Sequence, residues 1–267
     1  MTGWFMGRMA ALDLETDGPR PEEAHIVTAC VAIIDGSGQN APDVTSWVLK
    51  TRRPIPAEAA EIHGYTTERA DTEGRDPAEC VKEIATALGK ATADGIPLVA
   101  FNAVFDLTCM DREMRRLGLG SITPDGLQVV DPFCIDKALD KFRSGKRTLT
   151  ATCEHYGVSL DGAHDATFDA IAAARLAWKI ARTNPQIARL SLDELHKMQV
   201  RAKHEQDIDL AAYFRRLARQ KRNVEDQVAL NAARPDHRRV GGGGAAPGKK
   251  FLKKSGGGVD PRFRRST

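Results

Sequence analysis

The chain has 267 residues, of which 39 are Lys or Arg, 36 are Asp or Glu and 42% are apolar. This length suits one large domain or one domain with extensions, and this apolar content is enough for a packed core. No stretch approaches the roughly 18 consecutive apolar residues of a transmembrane helix, which excludes one. The first ten residues lack the apolar segment of a secretory signal. We therefore expect a cytoplasmic protein without a membrane partner.

The formal net charge of +3 hides an uneven distribution. Residues 234–267 contain ten Lys or Arg and two Asp, a net charge of +8, whereas the rest of the chain contains 29 basic and 34 acidic residues. A basic, Gly-rich segment cannot bury enough apolar surface to fold, so we expect residues 234–267 to be disordered. Such a tail is typical of proteins that bind nucleic acid.

The cysteine pattern argues against a zinc site and a disulfide framework. The chain has 5 cysteines, an odd number, and no C-x-x-C pair, which favours free thiols in a reducing compartment. Neither G-x-x-x-x-G-K-[ST] nor G-x-G-x-x-G occurs, so a phosphate-binding nucleotide loop is not predicted.

The predicted elements begin with three strands over residues 9–15, 25–34 and 44–51, joined by short turns. Short turns connect antiparallel strands, so these form a meander. Two short apolar runs, 96–101 and 128–133, then alternate with helices as parallel strands do. Helices are predicted over residues 54–64, 76–91, 103–117, 135–142, 148–156, 166–182 and 192–220. The pattern predicts an α/β fold with a mixed five-stranded sheet flanked by helices, followed by a C-terminal helical extension.

Two acidic residues lie where carboxylates are costly. Asp13 and Glu15 are two residues apart on the first predicted strand, so both point to the same face of the sheet. Neighbouring carboxylates repel each other and favour a cation between them. The alternative is the solvated face of an edge strand, and this pair alone does not separate the two.

Two later segments add further candidates. Asp106 follows the apolar run 96–100 in the first turn of a helix, and sites in open α/β sheets gather at strand ends. His164 lies in a loop, Asp165 is a predicted N-cap, and Asp169 lies on a helix whose alanines allow close packing on the sheet. Taken singly, each segment has a plainer explanation: a carboxylate favoured by the helix dipole, or a surface His beside a capping Asp.

Together, four carboxylates and a histidine indicate metal-assisted hydrolysis. Hard oxygen ligands select Mg²⁺ or Mn²⁺ rather than zinc. Two such ions about 4 Å apart can hold the attacking and leaving oxygens of a phosphodiester displacement. A histidine beside them can take the proton from the attacking water.

The three segments resemble, in order, the three motifs of the DEDDh 3′→5′ exonucleases, a family that includes the proofreading epsilon subunit of bacterial DNA polymerase III and RNase T. The likeness covers about residues 8–182. The matching residues are Asp13 and Glu15 (D-x-E), Asn102 and Asp106 (N-x-x-x-D), and His164, Ala166 and Asp169 (H-x-A-x-x-D).

The resemblance implies an RNase H-like fold and an enzyme that releases nucleoside 5′-monophosphates from a 3′ end by a two-metal mechanism. The pattern of elements predicts that this exonuclease domain covers residues 8–184 and that residues 185–233 form the helical extension. The resemblance also implies that His164 is the general base and that two Mg²⁺ or Mn²⁺ are bound by the catalytic carboxylates Asp13, Glu15, Asp106 and Asp169.

A further segment, residues 58–64, resembles the family's E-x-x-x-x-H-G sequence, which contacts the terminal nucleotide. The resemblance implies that Glu58 and His63 bind substrate. Asn102 belongs to the second motif, and the backbone of Thr16 follows the D-x-E pair, so both are also substrate-binding candidates. A solvated helix Glu and a capping His are the alternative for the first two.

Three other features have no assigned chemistry. Asp17 replaces the more usual Thr of the family, and we interpret it as a turn residue. Asp131 either supports the site from behind or forms an Asp-Pro turn. Residues 145–147 either contact phosphates or form a solvated loop, and we favour the loop.

We predict an exonuclease acting on single-stranded 3′ ends, with DNA favoured, in proofreading or repair, and a replication-protein partner bound through the C-terminal helix. An RNA exonuclease of the RNase T or oligoribonuclease kind would have the same catalytic residues, because sugar discrimination depends on close contacts to the 2′-OH. A non-catalytic, nucleic-acid-binding polymerase-accessory protein is the third possibility. The presence of all five catalytic residue types argues against it.

Overall fold

The computed structural model describes residues 3–122, 126–160 and 164–232, with side chains up to residue 222. The predicted basic tail, 234–267, lies outside the described residues. Contacts divide the chain into two compact units, with the boundary between Ala212 and Tyr213. All predicted site residues lie in the first unit, and the predicted division at residues 184 and 233 stays a prediction.

A five-stranded mixed sheet forms the centre of the first unit, with the strand order β3-β2-β1-β4-β5. Strands β1, β2 and β3 pair antiparallel, while β4 and β5 run parallel to β1. The predicted α/β fold, with a meander followed by parallel strands, is confirmed. The strands are β1 Arg8–Thr16, β2 Ile26–Asp35, β3 Asp43–Val48, β4 Leu98–Val99 and β5 Val129–Val130.

Nine α-helices lie in the part of the chain that the structure describes, and no helix there is long and apolar enough to cross a membrane. The α2 and α8 helices were not predicted. The predicted start of α5 at residue 135 is wrong, because Asp131 caps the helix and Pro132 takes its first position. The helices are α1 Ala57–His63, α2 Thr67–Glu73, α3 Pro77–Ala93, α4 Ala103–Arg116, α5 Pro132–Leu139, α6 Leu149–Tyr156, α7 Ala166–Thr183, α8 Pro185–Ala188 and α9 Leu192–Ala232.

Alternate residues of β1 face two different cores. Leu12 and Leu14 pack with residues of α3 and α4, whereas Ala11 packs with alanines of α7. Because side chains alternate along a strand, Asp13 and Glu15 share the face of Ala11 and point towards α7. The acidic pair therefore lies at the end of β1 on the face that α7 covers.

The alanines of α7 allow this helix to approach the sheet closely. Ala166, Ala170 and Ala174 recur at helical spacing and are buried with Ala11 of β1 and Ala32 of β2. Methyl groups fill little space between helix and sheet, so the start of α7 reaches the end of β1. This contact brings the third motif to the first.

The five cysteines are buried free thiols, as their number and spacing predict. Burial raises the thiol pKa, to about 12 for both Cys109 and Cys134. These thiols are therefore packing groups rather than reactive or metal-binding ones.

Candidate active site

The carboxyls of β1 lie in a poorly solvated, negatively charged environment. Burial raises the pKa of Asp13 well above its ordinary value, and the nearby Asp106, Glu15 and Asp169 carboxyls raise it further. Burial, followed by Asp169 and Asp165, raises the pKa of Glu15 from 4.5 to about 7. Carboxyls from three separate segments are therefore close enough to affect one another.

Asp106 reaches β1 from the first turn of α4. Its Oδ1 accepts a hydrogen bond from the Leu14 backbone N–H at 3.1 Å. On the same edge of β1, the Ala10 N–H donates to the carbonyl of Pro97, which directly precedes β4. The pairing of β4 with β1 ends at Ala11. Beyond that point Asp106 takes the place of a neighbouring strand, and burial raises its pKa well above the ordinary value.

The turn before α4 is held in a strained conformation by Asp131. Asn102 has a φ of 64°, in the left-handed region that non-glycine residues seldom adopt. Asp131 is 5% exposed, and its carboxylate accepts the N–H groups of Asn102 at 2.9 Å and Ala103 at 3.1 Å. It also accepts those of Phe133 at 2.9 Å and Cys134 at 3.3 Å. Asp131 therefore supports the turn that carries Asp106, and it caps α5 rather than forming the expected Asp-Pro turn.

The third motif contributes Asp169 from α7 and His164 from the preceding loop. Asp169 Oδ2 accepts the backbone N–H of His164 at 3.1 Å, and His164 has a φ of 71°. Asn102 and His164 are the two non-glycine residues with positive φ in the described part of the chain. Both belong to the predicted motifs, and strain of this kind collects at functional sites. Asp165 caps α7 by accepting the Thr167 N–H at 2.8 Å.

These residues fit a divalent cation. Ligand atoms of Glu15, His164 and Asp169 lie within 4.8 Å of one another. Among the residues that the structure describes, Asp169 Oδ1 is buried without a hydrogen-bond partner, and burial raises the pKa of this carboxyl. An unpartnered carboxylate oxygen beside other carboxylates is costly unless a cation neutralises the charge. The oxygen-rich donor set suits a hard divalent cation.

The predicted substrate-binding residues are placed differently from one another. His63 is buried at the end of α1, its Nδ1 accepts the Tyr65 N–H at 3.2 Å, and its ring lies beside the backbone of Thr16. His63 Nε2 is buried without a hydrogen-bond partner among the described residues. Glu58 is exposed in the first turn of α1, and Asn102 is half-buried. Their roles towards substrate stay predictions.

The expected solvated loop at residues 145–147 holds only in part. Gly145 and Lys146 are exposed, but the Arg147 side chain is 12% exposed and forms an ion pair with the buried Asp136. Arg143 and the Tyr156 hydroxyl contact the same carboxylate, at 2.9 Å and 3.1 Å. A carboxylate as buried as Asp136 requires such partners, and the sequence contains no local pattern that reveals them.

Asp17, interpreted as a turn residue, also has a structural partner. Its carboxylate accepts two hydrogen bonds from the Arg53 guanidinium, at 2.5 Å and 2.8 Å, and the backbone N–H of His25 at 2.8 Å. These hydrogen bonds lower the pKa of Asp17 despite its burial. Asp17 thus joins the segment after β1 to the segment after β3.

The geometry agrees with comparisons to known proteins. The RNase_T family model, described as "Exonuclease", matches residues 10–177, more than half of the chain. The chain belongs to this exonuclease family. The predicted membership in the DEDDh exonucleases is confirmed, and the match includes every residue of the three motifs.

Curated relatives of this exonuclease domain include a polymerase subunit and a protein similar to one. The chain is 30% identical over 173 residues to DNA polymerase III subunit epsilon of Haemophilus influenzae, a match that covers 61% of this chain and 63% of that protein. It is 28% identical over 166 residues to a DNA polymerase III subunit epsilon-like protein of Rhodobacter capsulatus, of which it covers 22%. The chain therefore spans less than two thirds of these relatives.

Solved exonuclease structures share the fold. Escherichia coli exonuclease I in complex with a dT13 oligonucleotide superposes with a TM-score of 0.57 at 17% identity, over 68% of this chain and 42% of that chain. The product-bound structure of exonuclease I gives a TM-score of 0.58 at 16% identity, over 68% of this chain and 45% of that chain. The similarity confirms the RNase H-like architecture.

Proposed function

We propose that this chain is a metal-dependent 3′→5′ exonuclease that hydrolyses single-stranded nucleic acid, with DNA favoured, and releases nucleoside 5′-monophosphates. The observation that carries the proposal is the convergence of the carboxyls of β1, α4 and α7 beside His164. Four acidic groups would not be held together at this energetic cost for packing alone.

The proposed ligands of two Mg²⁺ or Mn²⁺ are Asp13, Glu15, Asp106 and Asp169. When bound, such ions activate water and stabilise the charge that develops on the phosphate oxygens during hydrolysis. The chain contributes the placement of the ligands: the end of β1 holds two of them, Asp106 is tied to Leu14, and Asp169 is tied to His164.

His164 is the proposed general base. Its ring is exposed, and one ring nitrogen lies within 4.8 Å of carboxylate oxygens of Glu15 and Asp169. It takes a proton from the attacking water as the water oxygen bonds to phosphorus. The bond from phosphorus to the 3′ oxygen of the preceding nucleotide breaks, and that oxygen takes a proton from solvent. The products are a 5′-monophosphate and a strand one nucleotide shorter.

We propose that His63 and Thr16 bind the terminal nucleotide. Among the described residues, His63 Nε2 is a buried polar atom without a hydrogen-bond partner, and the ring lies beside the Thr16 backbone at the end of β1. A ligand that reaches this position removes the cost of burying that atom unpaired. We propose that Glu58 and Asn102 border the same nucleotide.

Two similarities support DNA as the substrate and a replication role. One relative is named as a DNA polymerase III subunit, another as a protein similar to that subunit, and exonuclease I is bound to deoxyoligonucleotides in solved structures. We propose proofreading or repair in the cytoplasm, with a replication protein bound through the C-terminal helix.

A timed digestion tests the proposal. Equal concentrations of 5′-labelled single-stranded DNA and RNA of the same sequence, and of their duplexes, are incubated with wild-type protein in Mg²⁺ or EDTA. We expect single-stranded DNA to shorten stepwise from its 3′ end, with 5′-monophosphates as the product in chromatography and no reaction in EDTA.

Each other outcome has a definite meaning. Faster digestion of RNA would replace the DNA assignment with an RNA exonuclease of the RNase T or oligoribonuclease kind. Binding without hydrolysis of any substrate would favour the accessory protein and contradict the proposed activity. Asp13→Asn protein is the control, because it keeps the side-chain volume but removes a proposed ligand.

A further inference from the structure

The outer edge of β5 is closed by side chains of α9. In the parallel pairing with β4, the Gln128 and Val130 carbonyls accept N–H groups of the β4 segment. Because these groups alternate along a strand, the N–H and C=O of Val129 and the N–H of Asp131 point away from the sheet. An edge strand leaves such groups unpaired unless something covers them.

Two residues of α9 meet all three groups. His196 Nδ1 accepts the Val129 N–H at 3.2 Å. The Gln199 amide donates from Nε2 to the Val129 carbonyl at 2.8 Å and accepts the Asp131 N–H on Oε1 at 2.6 Å. Gln199 is 6% exposed, and Leu195, one helical turn earlier on α9, is fully buried. The Gln199 side chain therefore takes the place of a neighbouring strand at β5.

Asp131, whose N–H is bound by Gln199, also binds the turn that precedes α4. The Asp131 carboxylate accepts the N–H groups of Asn102 and Ala103, where the backbone is in the left-handed conformation. Asp106 lies one helical turn further along α4. A chain of hydrogen bonds thus runs from α9, through Asp131, to the start of the helix that carries a proposed metal ligand.

We propose that Gln199 is a positioning residue for Asp106, acting through Asp131, and that the first turns of α9 are part of the catalytic body. Residue 199 lies beyond the segment matched by the family model, 10–177. The inference rests on the proposed function, since it takes Asp106 to be a metal ligand. Removing a group that bonds directly to a metal ligand typically changes metal affinity or activity by about 10–100-fold, and Gln199 acts one residue further away, so we expect the lower end of that range.

The test compares Gln199→Met with Gln206→Met in the full chain. Methionine keeps the approximate length and volume of glutamine but makes no amide hydrogen bonds. Gln206 lies on the same helix and donates to the Cys134 carbonyl at 3.2 Å, so its substitution removes a hydrogen bond without touching Asp131. Circular dichroism checks the fold, Mn²⁺ titration measures ion affinity, and steady-state hydrolysis of a single-stranded oligonucleotide gives kcat and KM.

We expect Gln199→Met to weaken Mn²⁺ binding and to raise the Mg²⁺ concentration at half-maximal rate, each by about 10-fold or more, with KM for the oligonucleotide near wild type. Gln206→Met should leave both ion readouts unchanged. A folded Gln199→Met protein with wild-type Mn²⁺ affinity would overturn the proposal. If wild-type protein binds Mn²⁺ but hydrolyses nothing, the proposed function fails while the Mn²⁺ comparison still decides the role of Gln199.

Hydrogen exchange of the wild-type protein covers the case in which Gln199→Met does not fold. The backbone N–H groups of Val129 and Asp131 should exchange as slowly as those of the inner strands, because α9 covers them. Exchange of the Asp131 N–H at the rate of an open sheet edge would show that Gln199 does not hold it, and would overturn the proposal.

Discussion

Replacing Glu15 by Gln should stabilise the protein in EDTA while abolishing its activity. The Glu15 carboxyl has a pKa of about 7, raised from 4.5 by burial and by the charges of Asp169 and Asp165. A carboxyl with a raised folded-state pKa contributes stability that is fully present below its unfolded value, near 4.5, and is lost as the pH rises through about 7. Ionised Glu15 therefore destabilises the folded protein at pH 8 unless a cation is bound.

The magnitude follows from the pKa difference. One pKa unit corresponds to about 1.4 kcal/mol, so the ionised carboxyl lowers the free energy of unfolding by at most about 3.5 kcal/mol at pH 8. At pH 5, where the carboxyl is only partly ionised in the unfolded chain, the free energy of unfolding falls by about 1 kcal/mol or less. For a unit of this size, 3.5 kcal/mol corresponds to a change in Tm of about 7–14 °C.

The assay is thermal and urea unfolding of wild type and Glu15→Gln in EDTA at pH 5 and pH 8. The variant should have a clearly higher Tm and free energy of unfolding than wild type at pH 8, and only slightly higher values at pH 5. Mg²⁺ should stabilise wild type more than the variant. Glu154→Gln is the control, because Glu154 is exposed on α6 and its replacement should give no pH-dependent difference. A variant no more stable than wild type at pH 8, or an equal difference at both pH values, would refute the reasoning.

Four further predictions test other parts of the account. Asp131→Ala leaves four backbone N–H groups without their acceptor and should lower the free energy of unfolding by about 2–4 kcal/mol in urea denaturation; an unchanged midpoint would contradict this. His164→Ala should lower kcat by about 10²–10⁴-fold with KM near wild type in steady-state assays, whereas a change in KM alone would argue against a general base. Arg147→Ala should lower Tm, because it removes one ion-pair partner of the buried Asp136 carboxylate. An unchanged Tm with a raised KM would instead indicate that Arg147 contacts a phosphate. Removing residues 234–267 should weaken binding to single strands at low salt and spare kcat, and a fall in kcat at saturating substrate would show that the tail does more than tether.

The sheet and the motif order could be predicted from sequence because both depend on local pattern. The two-residue period of β1 places Asp13 and Glu15 on one face, and the apolar run before Asp106 places that residue at a strand end. The alanines around Asp169 indicate close packing on the sheet, which the structure contains. These signals require only neighbouring residues.

The supporting contacts could not be predicted, because they join residues far apart in the chain. Gln199 and Asp131 are 68 positions apart, and a glutamine on a polar helix carries no signal of a buried partner. The ion pair of Arg147 with Asp136 is hidden in the same way, since the Gly-Lys-Arg sequence is typical of a solvated loop. Asp131 was only partly predictable: Asp-Pro indicated a turn, whereas the structure has a helix cap there, and no local pattern indicates the amides of Asn102 and Ala103 that it also binds.

Carboxylates from three segments are proposed to hold the cations that permit hydrolysis at a 3′ end. The decisive measurement is the rate of nucleotide release from a 5′-labelled single-stranded oligonucleotide over a Mg²⁺ series, with wild-type and Asp169→Asn protein. Wild type should shorten the strand stepwise from its 3′ end, at a rate that saturates with Mg²⁺ and is zero in EDTA, whereas Asp169→Asn should release no nucleotide. Release that persists in EDTA, or in the Asp169→Asn protein at the wild-type rate, would contradict the proposal.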